Sequence, residues 1–242
     1  MRAILIGWGE VGRGLYELFS PYHQIDVYDT KKNIIIHNIT NPNVLMIAIP
    51  YFLDNDDFIS VVKGYQKEFN PGVTIIFSTV PIGTSSRLKS LHCPVEGRHP
   101  NMAEAMRTWT WWIGGEDEDA ERFFHQAGLL YKVVQKPEYT EFMKLHSLTL
   151  YGLNIEFARY NKTVADKIGM SYSLLKQYDE SIFDLCMEMA KGNPERYKKY
   201  ILELDPPTGK IGGHCILPGT DILNSQYPSL YLKEILKTNE SL

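Results

Sequence analysis

Ala3-Ile4-Leu5-Ile6-Gly7-Trp8-Gly9-Glu10-Val11-Gly12 sets an apolar, β-rich run directly before a G-x-G-x-x-G pattern, and residues 10–19 that follow have helical character. In that setting each glycine has its own physical task. Gly7 allows the tight turn, Gly9 lets backbone approach a pyrophosphate, and Gly12 lets the helix lie close on the strand. The helix N-terminus then turns unpaired N–H groups toward phosphate, so Gly7, Trp8, Gly9, Glu10, Val11 and Gly12 form a candidate cofactor loop. Asp29 ends the second β-rich run about 20 residues on, where a carboxylate accepts hydrogen bonds from the adenosine ribose hydroxyls. Asp29 would repel a 2′-phosphate, which favours NAD over NADP, although Lys31 and Lys32 soften that preference.

Outward from this stretch, β-rich runs at Ala3 to Ile6, Gln24 to Tyr28, Val44 to Ile49, Val73 to Phe77, Trp109 to Ile113 and Tyr131 to Val134 alternate with helical ones. The helical stretches are Glu10 to Phe19, Asp54 to Phe69 and Asp117 to Ala127. This alternation predicts an α/β fold of Rossmann type, a doubly wound, mostly parallel sheet over residues 1–136. Pro50, after the third run, joins the candidate cofactor set.

From Pro137 the β-rich runs stop, and residues 137–242 read as an α-helical domain. Glu138 to Ile168 predicts one long central helix, stopped by Gly169. Its middle, with Leu145, Leu148, Leu150, Tyr151, Leu153, Ile155, Phe157 and Ala158, leaves little polar face, so burial on several sides and a homodimer are expected. Helices at Ser173 to Ala190, Pro194 to Leu202 and Leu230 to Lys237 follow, with a loop from Asp205 to Gly219.

Composition narrows the function classes. The 242 residues are 44% hydrophobic and 22% charged, and 25 Lys+Arg against 29 Asp+Glu leave a net charge of −4. Disordered and fibrous architectures are excluded, and no broad basic surface favours nucleic acid. Cys93, Cys186 and Cys215 are too few and scattered for a disulfide framework, and the seven histidines lack metal spacing with them. With no signal-peptide pattern and no membrane-length apolar run, a cytoplasmic protein without a metal site is expected. Trp109, Trp111 and Trp112 are expected to pack a strand on both faces, and Cys186 to lie in a helical core.

Three further segments resemble the nucleotide-sugar 6-dehydrogenases, the UDP-glucose/GDP-mannose dehydrogenase family. Ser78-Thr79-Val80-Pro81-Ile82-Gly83-Thr84 is similar to the family's S-T-V-x-x-G-T turn beside the nicotinamide. Glu141 and Lys144 match its E-x-x-K at the start of the long helix, and Lys210-Ile211-Gly212-Gly213-His214-Cys215 resembles its G-x-G-G-x-C loop. The resemblance implies a cofactor domain followed by a helical domain like the C-terminal one of 6-phosphogluconate dehydrogenase. It also implies oxidation of a primary alcohol to an acid, with NAD taking a hydride in each of two steps. In that chemistry Cys215 traps the aldehyde as a thiohemiacetal that is oxidised to a thioester, and Lys144 stabilises the oxyanion. Thr79 positions water, Glu96 serves as acid or base, and Gly212 and Gly213 leave room for the substrate.

The chain departs from this pattern at Leu148, where the family has Asn, at Gly219, where it has Asp, and at Phe77, where an acid is common. It also ends at Leu242, before the family's second α/β domain, so a shortened form or a partner-supplied nucleotide site is expected. Gly97-Arg98-His99-Pro100-Asn101-Met102 is similar to the G-x-H-P-M segment of prephenate dehydrogenases. Arg98 and His99 are therefore candidate ligands for a small carboxylated substrate of a prephenate or hydroxyacid dehydrogenase. A protein that binds NAD without turnover is the third reading.

Overall fold

The computed structural model describes residues 1–36, 38–51, 55–97, 102–189, 209–211 and 215–240. It divides into two compact units, Met1–His146 and Ser147–Leu242. The first unit is built on β1 (Arg2–Ile6), β2 (Gln24–Asp29), β3 (Ile34–Ile36), β4 (Val44–Ile47), β5 (Val73–Ile76), β6 (Leu91–His92), β7 (Trp111–Gly114) and β8 (Tyr131–Val134). They form one sheet in the order β3-β2-β1-β4-β5-β6-β7-β8. Strands β2, β1, β4, β5 and β6 run parallel, whereas β3 and β7 run antiparallel to their neighbours β2 and β6. Strand order reverses at β1 and β4, the switch point outside whose carboxyl ends ligands bind in such sheets.

Strand β1 shows why the sheet is covered on both faces. Ala3 and Leu5 enter one apolar cluster and Ile4 and Ile6 another, as the two-residue alternation of side chains requires. The first cluster gathers Phe19, Trp111, Phe123 and Phe124 from α1 (Glu10–Phe19), β7 and α5 (Glu118–Gln126). The second takes Phe58, Ile59 and Val62 from α2 (Asn55–Phe69). Asp117 caps α5, its Oδ1 accepting from the N–H groups of Asp119 and Ala120. Short helices α3 (Thr84–Arg87) and α4 (Met102–Thr108) complete the unit.

Helix α6 (Pro137–Lys167) starts in the first unit and continues in the second, followed by α7 (Tyr172–Met189), α8 (Ile216–Gln226) and α9 (Leu230–Glu240). The contact boundary falls within α6, ten residues beyond the one expected from composition (146 against 136), because Thr140, Glu141 and Lys144 are hydrogen-bonded to first-unit residues. In the second unit a Cβ at Gly152 would stand 3.2 Å from Ile216 Cγ2 and 3.4 Å from Ile235 Cγ2, so glycine lets α8 and α9 approach α6 closely. A Cβ at Gly219 would stand 2.6 Å from Leu148 Cδ1, which fills the space beside α8.

Several sequence expectations need correction. Strands β3 and β6 and helices α3, α4 and α8 were absent from them, and α8 begins inside the expected 205–219 loop. Trp109 precedes β7 instead of lying in it, and only Trp111 of the three tryptophans is fully buried. Trp112 faces Lys132 Nζ, 4.9 Å from its ring centre. On α6, Leu145, Ile155 and Ala158 are buried, yet Leu150, Tyr151, Phe157 and Tyr160 are about half exposed or more. The expected helix from Pro194 to Leu202, and the side chain of Cys186, lie outside the described residues. Among the described residues no helix is long and apolar enough to cross a membrane.

Candidate functional site

The turn between β1 and α1 is determined by backbone approach. Gly7 has φ +102°, and a Cβ there would meet Ala48 O at 2.5 Å. A Cβ at Gly12 would stand 2.0 Å from Gly7 O, so only glycine lets α1 rest on the turn. Gly9 differs: nothing lies within 4 Å of its Cβ position, and α1 begins there with no side-chain cap. An open space at an uncapped helix N-terminus suits an anion. Asp29 Oδ2 accepts from the Trp8 N–H at 2.7 Å and Oδ1 from the Lys32 N–H at 3.0 Å, while Lys32 Nζ donates to Trp8 O at 2.7 Å. The carboxylate is therefore held at the end of β2 beside the turn, with Glu10 and Val11 in the first turn of α1. These residues fit a dinucleotide: the space at Gly9 admits the pyrophosphate, and Asp29 retains lone pairs for ribose hydroxyls.

Pro50, exposed, and Ser78 follow β4 and β5 at the same carboxyl edge of the sheet. Ser78 Oγ donates to Ile49 O at 2.6 Å, which ties the two strand ends together, and Thr79 beside it is partly buried. The start of α6 brings a second set of groups. Lys144 Nζ donates to Val95 O at 2.7 Å and to Glu96 Oε1 at 3.1 Å, with the lysine side chain 11% exposed. This joins two sequence-predicted residues that are 48 positions apart. Glu141, fully buried, accepts from Gly83 N–H at 2.6 Å and Ser85 N–H at 2.8 Å and so caps α3. Its role here is structural support for the turn that begins at Ser78.

Burial pushes the Glu141 carboxyl from 4.5 up to about 7, although the two N–H donors favour its charged form. Burial also depresses His92, which is hydrogen-bonded to Ser78 O and lies near Lys144, from 6.5 to about 3. The signs oppose. Unfolded His92 takes a proton below 6.5 and folded His92 does not, so its contribution to stability is lost as pH falls from 6.5 to 3. Glu141 folded holds its proton where the unfolded chain has lost it, so stability declines as pH rises from 4.5 through 7. We expect urea midpoints to fall between pH 5 and 8 in a His92→Gln background and to flatten over that range when Glu141→Gln is added. An unchanged slope in the double variant would show that another group titrates.

In the second unit Cys215 is exposed and occupies the N-cap position of α8, where its carbonyl accepts from Gly219 N–H at 2.9 Å. Just upstream, Arg159 bonds Glu156 and Gly209 O, and Asn239 Oδ1 accepts from Ile211 N–H. Cys93 is buried, and burial raises its thiol pKa well above the ordinary value, which keeps it protonated and unreactive. Arg98, His99, Gly212 and Gly213 lie outside the described residues. Among the described residues no group of three or more His, Cys, Asp or Glu has metal-binding geometry. Sequence reasoning missed His92 and Thr140, whose hydrogen bond spans 48 positions.

No protein-family model and no curated protein matches the chain. Solved structures do. The chain is similar to the UDP-D-ManNAc dehydrogenase from Pyrococcus horikoshii, at 16% identity and TM-score 0.74 over 99% of this chain and 68% of that one. It is similar to a UDP-glucose dehydrogenase from Pyrobaculum islandicum, at 17% identity and TM-score 0.73 over 99% and 68%. It is also similar to the 3-hydroxyisobutyrate dehydrogenase of Mycobacterium tuberculosis, at 12% identity and TM-score 0.68 over 99% and 92%. At these identities the likeness establishes the Rossmann-type fold, and these neighbours are dehydrogenases.

Proposed function

We propose that the chain is an NAD-dependent dehydrogenase that oxidises a primary alcohol or aldehyde. The observation that carries this reading is the built cradle at the switch point of the sheet: Gly12 admits no side chain, Gly9 faces open space, and Asp29 is fixed beside them. A nicotinamide dinucleotide supplies the hydride acceptor. Gly7 through Gly12 would hold its phosphates and Asp29 its adenosine ribose, with Pro50, Ser78 and Thr79 as the residues that would hold the nicotinamide. Lys144, a cation 11% exposed and held by Val95 and Glu96, stabilises negative charge on the substrate oxygen as the C–H bond breaks. Cys215 is the candidate carrier of a second oxidation. The Cys215 thiol would add across the aldehyde carbonyl to give a thiohemiacetal; its hydride would pass to a second NAD and its hydroxyl proton to solvent, leaving a thioester from which water would release the acid and restore the thiol.

Titration with both dinucleotides tests the cofactor assignment directly. NAD should bind at least about tenfold more tightly than NADP, a difference of about 1.4 kcal/mol, and Asp29→Ala should narrow that gap. NADP binding equal or tighter in the unmodified protein overturns the assignment. Screening NADH formation against sugar nucleotides and small hydroxy acids then tests turnover.

The packing of Leu148 against Gly219 favours a second reading, a one-step hydroxyacid dehydrogenase, because apolar contact occupies both positions where the resemblance calls for polar side chains. Two NADH per substrate, abolished by Cys215→Ala, support the first reading. One NADH per substrate, unaffected by Cys215→Ala, supports the second.

We also propose that a second copy of the chain covers the apolar residues Leu150, Phe157 and Tyr160 of α6, all 48% exposed or more. Sedimentation should give a dimer at micromolar concentration, and a monomer there removes the proposal.

A further inference from the structure

We propose that His92 is a positioning residue, which holds the Ser78–Thr79 turn at a set distance from the first turns of α6, where Lys144 resides. The inference rests on the dehydrogenase reading and adds to it a residue outside the dinucleotide and lysine contacts. His92 closes β6, paired with Ile76 of β5 and Gly114 of β7. Its Nε2 lies 3.2 Å from Ser78 O and its Nδ1 lies 2.9 Å from Thr140 Oγ1, and all three residues are buried. The Ser78 carbonyl has no proton to give, so Nε2 carries the hydrogen and donates it. Nδ1 is then an acceptor, and the Thr140 hydroxyl, which also has Pro137 O at 2.9 Å and His92 O at 3.2 Å as acceptors, is its donor. Burial, which drives the ring's pKa down to about 3, keeps this neutral form in place over the working pH range.

Both ends of the bridge are fixed independently. A Cβ at Gly114 would stand 2.3 Å from Thr140 Oγ1 and 2.6 Å from Pro137 Cα, so the start of α6 rests directly on β7. Ser78 Oγ is bonded to Ile49 O at 2.6 Å, so the turn beyond β5 is tied to the end of β4. One buried chain of hydrogen bonds thus runs from Ile49 through Ser78 and His92 to Thr140, one helical turn before Lys144. A neutral ring that keeps its proton does not act as an acid or base. Its two directional bonds instead set a distance, and an error of about 1 Å between reacting groups can cost about 100-fold in rate.

The test compares His92→Leu, Thr140→Val and His92→Gln at a temperature well below each melting transition. His92→Leu and Thr140→Val should each lower kcat at least about tenfold, with the substrate KM and the NAD dissociation constant within about threefold of unmodified protein. Glutamine, whose amide offers one acceptor and one donor at about the spacing of the ring nitrogens, should restore kcat to within about threefold. Unchanged kcat in His92→Leu, or a glutamine variant as slow as leucine, overturns the inference. Crystal structures of the same variants give a readout independent of turnover. In His92→Leu the separation between Ser78 O and Thr140 should widen, and Lys144 should leave Val95 O. If no substrate yields NADH with the unmodified protein, the dehydrogenase reading fails, and unmoved groups in these structures would separately dismiss the role of His92.

Discussion

Gly12→Ala should destabilise the protein by more than about 3 kcal/mol, whereas Gly9→Val should leave the urea midpoint nearly unchanged and weaken NAD binding at least about 100-fold. The two glycines stand three residues apart and differ in what surrounds them. The new methyl at residue 12 would lie 2.0 Å from a backbone oxygen, that of Gly7, and a backbone atom cannot rotate aside. Gly7 cannot retreat either, since its own Cβ position lies 2.5 Å from Ala48 O. Helix α1 must therefore lift from the sheet, loosening Leu15, Leu18 and Phe19, all fully buried. Overpacking usually costs about 1–3 kcal/mol, and a backbone collision belongs at or beyond that upper end. At residue 9 the side chain enters open space, so the fold tolerates it and only a ligand in that space is displaced. Equal loss of stability in both variants would show that the opening at Gly9 is filled in solution.

Lys144→Met should lower kcat by about 100- to 1,000-fold, the range found when a single donor to a developing oxyanion is removed. Methionine keeps the unbranched stem, and Glu96, 36% exposed on its side chain, can turn to water, so stability should change by less than about 1 kcal/mol. Lys144→Arg should not rescue the rate, because a planar fork cannot keep the point contacts to Val95 O and Glu96 Oε1. A methionine variant within threefold of the unmodified kcat would show that Lys144 only ties Val95 and Glu96 to α6.

The β1-α1-β2 stretch was legible because strand, glycine turn, helix and acid report one another within 29 residues. The α1 span, Glu10–Phe19, agrees with the expected one at both ends. Elements β3 and β6 were not legible, being three and two residues long, too short for any period to register. They exist because neighbouring strands offer partners, Val27 to Ile36 for β3 and Ile76 to His92 for β6. Helix α8 was hidden by Pro218 and Gly219, which read as loop residues. Proline in the first turn of a helix loses no bond that the helix would have made. At the site, the glycine cradle came from a local pattern and Lys144 and Glu96 from the family resemblance, but the pairing of these two and the His92 bridge join residues 48 apart. A histidine between Leu91 and Cys93 carries no local mark that would distinguish it from any core residue.

Leu148 and Gly219 also constrain how such a chain can drift. An aspartate introduced at 219 while leucine still stands at 148 collides with Cδ1, whose distance to the first added carbon is 2.6 Å. An asparagine at 148 beside glycine leaves a gap in which its amide meets carbon. The two positions are therefore coupled: any side chain added at 219 requires Leu148 to move aside or to be replaced by a smaller residue.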